Sequence, residues 1–173
     1  MLVYRLQQSK YSQSRVDILS GEGARRLGGR WSKVGTQLIY TAATPELALL
    51  EVLVHLEGTP PEDLPPLSII TLQIPDEDIL KVKIQDLPKH WQEVPPSESL
   101  QDFTKTWLDE AKFLTMQIPS VVMPKSNNYL LNPLHLAIKE VNIVEIEPFS
   151  LDSRLWIQSK SPSVDDIFNE MTE

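Results

Sequence analysis

Apolar and polar positions alternate along this chain in short bursts, most of which end at a proline or glycine. Leu2–Leu6 (LVYRL) has the composition of a first strand and is followed by polar residues up to Ser14. Val16–Leu19 predicts a short helix or turn. Gln37–Thr41 (QLIYT), Leu67–Ile74 (LSIITLQI) and Val141–Ile146 (VNIVEI) predict further strands. Lys81–Ile84 reads as a short extended piece after a turn at Asp76–Leu80, and Ser120–Met123 (SVVM) as a strand bracketed by Pro119 and Pro124. Asn127–Pro133 (NNYLLNP) reads as a loop or turn.

Two segments change to the helical period. Thr44 is a good N-cap, Pro45 fits the first helical position, Glu46 complements the helix N-terminus, and Gly58 stands where a C′ glycine belongs. Leu47, Leu49, Leu50, Leu53 and Val54 cover more than half of this helix, which predicts a largely buried element with Glu51 and His55 on the remaining flank. Ser97–Leu114 is the second helix, with Ser97 as its cap and Leu100, Phe103, Trp107, Leu108 and Ala111 recurring at three to four residues. Thr59–Pro66 and the stretch from Leu87 to Pro96 are proline-rich connections. Strands and helices do not alternate regularly, so the pattern predicts an α+β (mixed α/β) fold rather than a doubly wound sheet. The expected organisation is one domain over 1–158 and an acidic tail over 159–173, with a helical pattern at Val164–Met171.

Composition narrows the function classes. With no cysteine there is no disulfide and no thiolate metal site, and the start of the chain (MLVYRLQQSKYSQSR) has no apolar signal core, so a cytoplasmic location is expected. No apolar run is long enough to span a bilayer, so no membrane contact is expected. A net charge of −8 argues against direct nucleic-acid binding and is compatible with docking a basic partner protein. The oligomeric state is open, with the proline loops and the acidic tail as candidate contact surfaces in a homo-oligomer.

Candidate chemistry concentrates between Gly21 and Gly58, which hold all 6 glycines. GEGARRLGGRW (Gly21–Trp31) has neither the G-x-G-x-x-G spacing nor a G-K-[ST] phosphate loop. It is either a surface loop with solvated arginines or a loop whose backbone, at Gly29, and whose Arg30 meet an anionic ligand through a planar two-pronged cation. Glu51 is either a boundary residue or a carboxylate able to stabilise positive charge on a sugar ring. Glu51 and His55 do not form an H-E-x-x-H site, and no metal is expected. Ser120 lacks a G-x-S-x-G elbow. Tyr40 offers a stacking face for an aromatic ring.

Taken together, Tyr4–Leu6, Gly21–Trp31, Tyr40–Thr41, Leu47–His55, the Leu87-Pro88…Trp91 segment, Pro119–Pro124, Asn128–Pro133 and Asp152–Leu155 resemble, in order, the RES-domain proteins. The resemblance implies an ADP-ribosyltransferase-like fold with a split mixed β-sheet and flanking helices. It implies an NAD-degrading toxin of a type II toxin–antitoxin pair that cleaves the nicotinamide–ribose bond, with water or phosphate as acceptor. It further implies an Xre-like helix-turn-helix antitoxin as partner. Two alternatives stay open: an ADP-ribosyltransferase acting on a macromolecule, and a non-catalytic RES-like module that binds NAD or a partner. The family's arginine, glutamate and serine fall on Arg30, Glu51 and Ser120, with Tyr40 as a further site tyrosine. On this resemblance Arg30 holds the pyrophosphate, Tyr40 packs on the nicotinamide or its ribose, Ser120 bonds the ribose or carboxamide, and Glu51 stabilises the oxocarbenium-like cation. The chain departs from the family pattern at Ser32 (usually asparagine), at Ala42 (often serine) and at Phe103–Thr106, which lack a glycine.

Overall fold

The computed structural model describes residues 1–56, 59 and 63–155; Gly58, residues 60–62 of the proline-rich connection and the 159–173 tail with its helical pattern at Val164–Met171 lie outside them. The chain opens with β1 (Leu2–Gln8), followed by two short helices, α1 (Arg15–Leu19) and α2 (Glu22–Leu27). Then come β2 (Ile39–Ala42), α3 (Pro45–Leu53), β3 (Leu67–Gln73), β4 (Ile79–Lys81), α4 (Glu98–Glu110), β5 (Thr115–Pro119), β6 (Asn127–Leu131) and β7 (Asn142–Phe149). The seven strands form one mixed sheet in the order β4-β5-β6-β2-β1-β3-β7. Only β4–β5 is parallel.

The sheet is nearly two sheets. β1 and β3 pair along their whole length, from Leu2↔Gln73 to Gln8↔Leu67, whereas β1 and β2 are joined through Tyr4↔Ala42 alone. This agrees with the α+β (mixed α/β) class predicted by the sequence pattern and with the split mixed sheet and flanking helices implied by the family resemblance. On one face Val3, Ile39, Ile70, Leu72, Tyr129 and Leu131 pack under α1 residues Ile18 and Leu19. The opposite face carries two clusters. Trp31, Leu38, Trp91, Met116 and Leu130 pack against α4 through Leu100 and Trp107. Leu6 and Ala42 pack against α3 through Leu47 and Ala48. Residues directly opposite in an antiparallel pair share a face, so Tyr40, opposite Leu130, and Asn128, opposite Ala42, lie on this second face, where the two helical covers meet.

Several elements differ from the sequence expectation. The strand expected at Ser120–Met123 lies before it, at β5, and Ser120–Ser126 form the turn of the β5–β6 hairpin. Asn127–Leu131, expected as a loop, is a central strand: Tyr129 and Leu131 enter one core cluster and Leu130 the other, the signature of a strand buried on both faces. The extended piece expected at Lys81–Ile84 begins earlier, at Ile79, and Ile84–Asp86 is a 3-10 turn. The glycine-rich stretch is not all loop, because α2 runs through it. Ser97 holds the N-cap position of α4 without a side-chain capping bond, and the helix stops at Glu110.

The α3 start behaves as expected: Thr44 Oγ1 accepts from Leu47 N at 3.2 Å, and Pro45 begins the helix. Its burial does not. Only Leu47 and Ala48 are buried, Leu50 and Leu53 are partly so, and Val54 is 52% exposed. The inward stripe runs Leu47, Ala48, Glu51, at i, i+1 and i+4. The glutamate therefore continues the packed face instead of sitting on the outer flank.

Candidate active site

In the glycine-rich segment only Arg30 among the arginines turns inward. Arg25 and Arg26 both pair with Glu22 one turn earlier on α2, at 2.7 and 2.8 Å. Those hydrogen bonds hold the Glu22 carboxyl at a pKa of about 2. Gly29 and Ser32 close a tight turn, with Gly29 N donating to Ser32 O at 2.8 Å and Ser32 N returning to Gly29 O at 3.3 Å. Arg30 and Trp31 form its corner. Trp31 drops into the core beside Trp91, ring centroids 6.3 Å apart. Arg30 Nη1 donates to Trp91 O at 3.0 Å and to Glu93 O at 2.8 Å, tying the turn to the proline-rich connection. Burial lowers the Arg30 pKa, opposed by the negative charge of Glu51 and by Tyr40. The guanidinium remains a cation.

Tyr40 holds this turn from below. Its Oη accepts from Trp31 N at 3.2 Å and shares a 2.9 Å hydrogen bond with Ser32 Oγ. A Cβ at position 29 would stand 2.6 Å from that oxygen, so the turn needs glycine there. Burial pushes the Tyr40 hydroxyl pKa up, against the pull of Ser32, Trp31 N–H and the Arg30 charge. Gln101 of α4 adds a bond from Nε2 to Gly29 O at 2.9 Å.

The second group is built on α3 and the β5–β6 hairpin. Ser120, fully buried, accepts from Met123 N at 2.9 Å and donates to Glu51 Oε1 at 2.8 Å. Asn128 Nδ2 donates to the same Glu51 oxygen. His55 is exposed and makes no part of this arrangement. The residues singled out in the sequence thus fall into two sets. Gly29, Arg30 and Tyr40 form one; Glu51 and Ser120 form the other. No hydrogen bond joins the sets among the described residues; they are coupled by the Glu51 charge acting on Arg30. A carboxylate with one oxygen fixed, whose charge reaches a cation on a tight turn, suits a ligand with an anionic part and a centre that becomes positive.

The chain matches the family model described as RES domain over residues 2–152. It belongs to the RES-domain family. Among RES relatives, the protein named Toxin Res of Photorhabdus laumondii subsp. laumondii is 35% identical over 156 residues, covering 90% of this chain and 97% of that protein. Toxin Res of Pseudomonas putida is 37% identical, with 80% and 92% covered. A Sphingobium protein named Prs ADP-ribosylating toxin is 31% identical, with 80% and 87% covered. The fold matches a chain in the crystal structure of the M. tuberculosis MbcT-MbcA toxin-antitoxin complex, with a TM-score of 0.69 and 16% identity over 86% of this chain and 84% of that one.

Two residues bonded into these groups escaped the sequence reading. Asn128 was hidden by taking its segment for a loop; the buried Tyr-Leu-Leu run after it was the available signal. Ser32 stood out only as a departure from the family pattern, yet its hydroxyl bonds Tyr40. Among the described residues no group of three or more potential ligands could hold a metal ion, and no helix is long and apolar enough to cross a membrane. A groove lined by Ser9, Leu64, Pro66 and Phe149 carries none of the site residues.

Proposed function

We propose that this RES protein is the toxin of a toxin–antitoxin pair and that it cleaves the nicotinamide–ribose bond of NAD. The observation that carries the reading is Glu51, held through Oε1 by buried Ser120 on the sheet face that also bears Tyr40, and close enough to favour the Arg30 cation. NAD lies between the two sets. Arg30 already spends Nη1 on the Trp91 and Glu93 carbonyls, so its Nε and Nη2 are the donors for the pyrophosphate. Tyr40 keeps the Arg30 turn in place and borders the nicotinamide end. Glu51 stabilises the oxocarbenium-like transition state as nicotinamide leaves, and water or phosphate then takes the ribosyl carbon. Ser120 acts through Glu51 rather than on the ribose, because it is fully buried and its hydroxyl is committed to Glu51 and Met123 N. Each such electrostatic contribution is worth about 10²–10³-fold in rate.

The partner is an antitoxin of the Xre-like class that supplies the DNA contact this chain's −8 charge disfavours. The fold likeness to a chain of a toxin–antitoxin complex supports a partner of this kind. The test is nicotinamide release from NAD by the purified protein, with and without phosphate; intact NAD in both arms defeats the proposal. A second reading, transfer of ADP-ribose to a macromolecule, is favoured by the name of the Sphingobium relative. A mass shift on a target incubated with NAD distinguishes it.

A further inference from the structure

Glu51 makes two hydrogen bonds among the described residues, from Ser120 and from Asn128, and both land on Oε1. Its Oε2 makes none. A carboxylate gripped by one oxygen from two directions cannot rotate without losing both bonds. The two donors come from the two ends of one hairpin turn: Ser120 follows the last residue of β5, and Asn128 is the second residue of β6. Ser120 N also bonds Ser126 O at 2.9 Å, which closes the turn between them.

Asn128 stays in this position at a cost. Its Oδ1 is sealed from solvent and has no hydrogen-bond partner among the described residues. An unmet buried acceptor costs stability, and removing it offsets the loss of the bond to Glu51 when the volume is kept. The amide cannot relieve this by flipping, since that would turn Oδ1 toward the Glu51 carboxylate. A side chain that leaves one buried acceptor unmet while holding a carboxylate in place is the pattern of a site, not of a core.

We propose that Asn128 is a positioning residue: with Ser120 it clamps Glu51 Oε1, so that Oε2 is the oxygen presented to the reacting centre. The proposal rests on Glu51 being the working carboxylate described above. It predicts that Asn128→Leu, close in shape but without the donor, lowers kcat about 10- to 100-fold, as expected for a misplaced catalytic group. KM for NAD changes less than threefold and the thermal midpoint does not fall. Because Asn128 acts through Glu51, adding Asn128→Leu to Glu51→Ala lowers the residual rate less than twofold. Asn128→Ala serves as the second variant. Growth arrest on expression is scored beside nicotinamide release. If wild type arrests growth but leaves NAD intact, the NAD reading fails and the Asn128 claim is judged on growth arrest. Wild-type-like activity of Asn128→Leu, a full further loss in the Glu51→Ala background, collapse of the fold in both variants, or a wild type inactive in both assays overturns the proposal.

Discussion

At the scale of single residues, the site depends on side chains that hold other side chains. Under the proposed function Glu51 works because Ser120 fixes it, and Arg30 because Tyr40 and Gly29 shape the turn beneath it. Glu51→Gln or Arg30→Ala should lower NAD turnover about 10²–10³-fold without a matching fall in thermal midpoint. Gly29→Ala places a methyl on the Tyr40 hydroxyl and should cost roughly 1–3 kcal/mol in urea denaturation along with most of the activity. Tyr40 also sets an alkaline limit. Burial raises its folded pKa above the ordinary value of 10.0, so the unfolded chain ionises first. The contribution of Tyr40 to stability is therefore fully present below pH 10 and is lost as pH rises through the folded value; a stability–pH curve for Tyr40→Phe should lack that part of the decline. Arg30, Tyr40, Glu51 and Ser120 were legible as candidates because they stand in quoted motifs. The hydrogen bonds between them were not, since Glu51 and Ser120 are 69 positions apart and only the fold brings them together.

At the scale of elements, α3 shows where a sequence pattern misleads. Its apolar residues cover more than half of the circumference, so the pattern predicted a largely buried helix with Glu51 on the remaining flank. The inward face is chosen instead by what fits over Leu6 and Ala42, and small Ala48 lets α3 approach closely enough for Glu51 to reach the β5–β6 turn. Boundary prolines and asparagines misled in the same way. Pro119 ends β5 rather than opening a strand, and the asparagines of NNYLLNP start β6 rather than forming a loop. The N-terminus of α3, by contrast, was readable because capping is local chemistry. Thr44→Ala removes the bond to Leu47 N and should cost about 1 kcal/mol, read as a lowered denaturation midpoint. Activity should fall further than stability explains, since the same helix carries Glu51.

At the scale of the molecule, the sheet is split where β1 and β2 meet at the single pair Tyr4↔Ala42, and α3 bridges the halves. The fold class was legible from the irregular order of strands and helices, whereas the strand order, set by long-range pairing, was not. The far edge, β7, bears exposed Val144 and Ile146 alternating with charges at Glu145 and Glu147, a register irregularity opposite Thr71/Leu72, and Pro148. These features blunt an open strand edge. Glu145→Val with Glu147→Val should make the protein self-associate, visible as a larger species in light scattering at concentrations where wild type shows no such shift. The central claim, that Glu51 serves the breaking of the nicotinamide–ribose bond, is tested most directly by nicotinamide release from NAD, comparing wild type with Glu51→Gln at equal folded concentration. The account predicts release by wild type and a loss of about 10²–10³-fold in the variant. Intact NAD with wild type, or equal release by both, would contradict it.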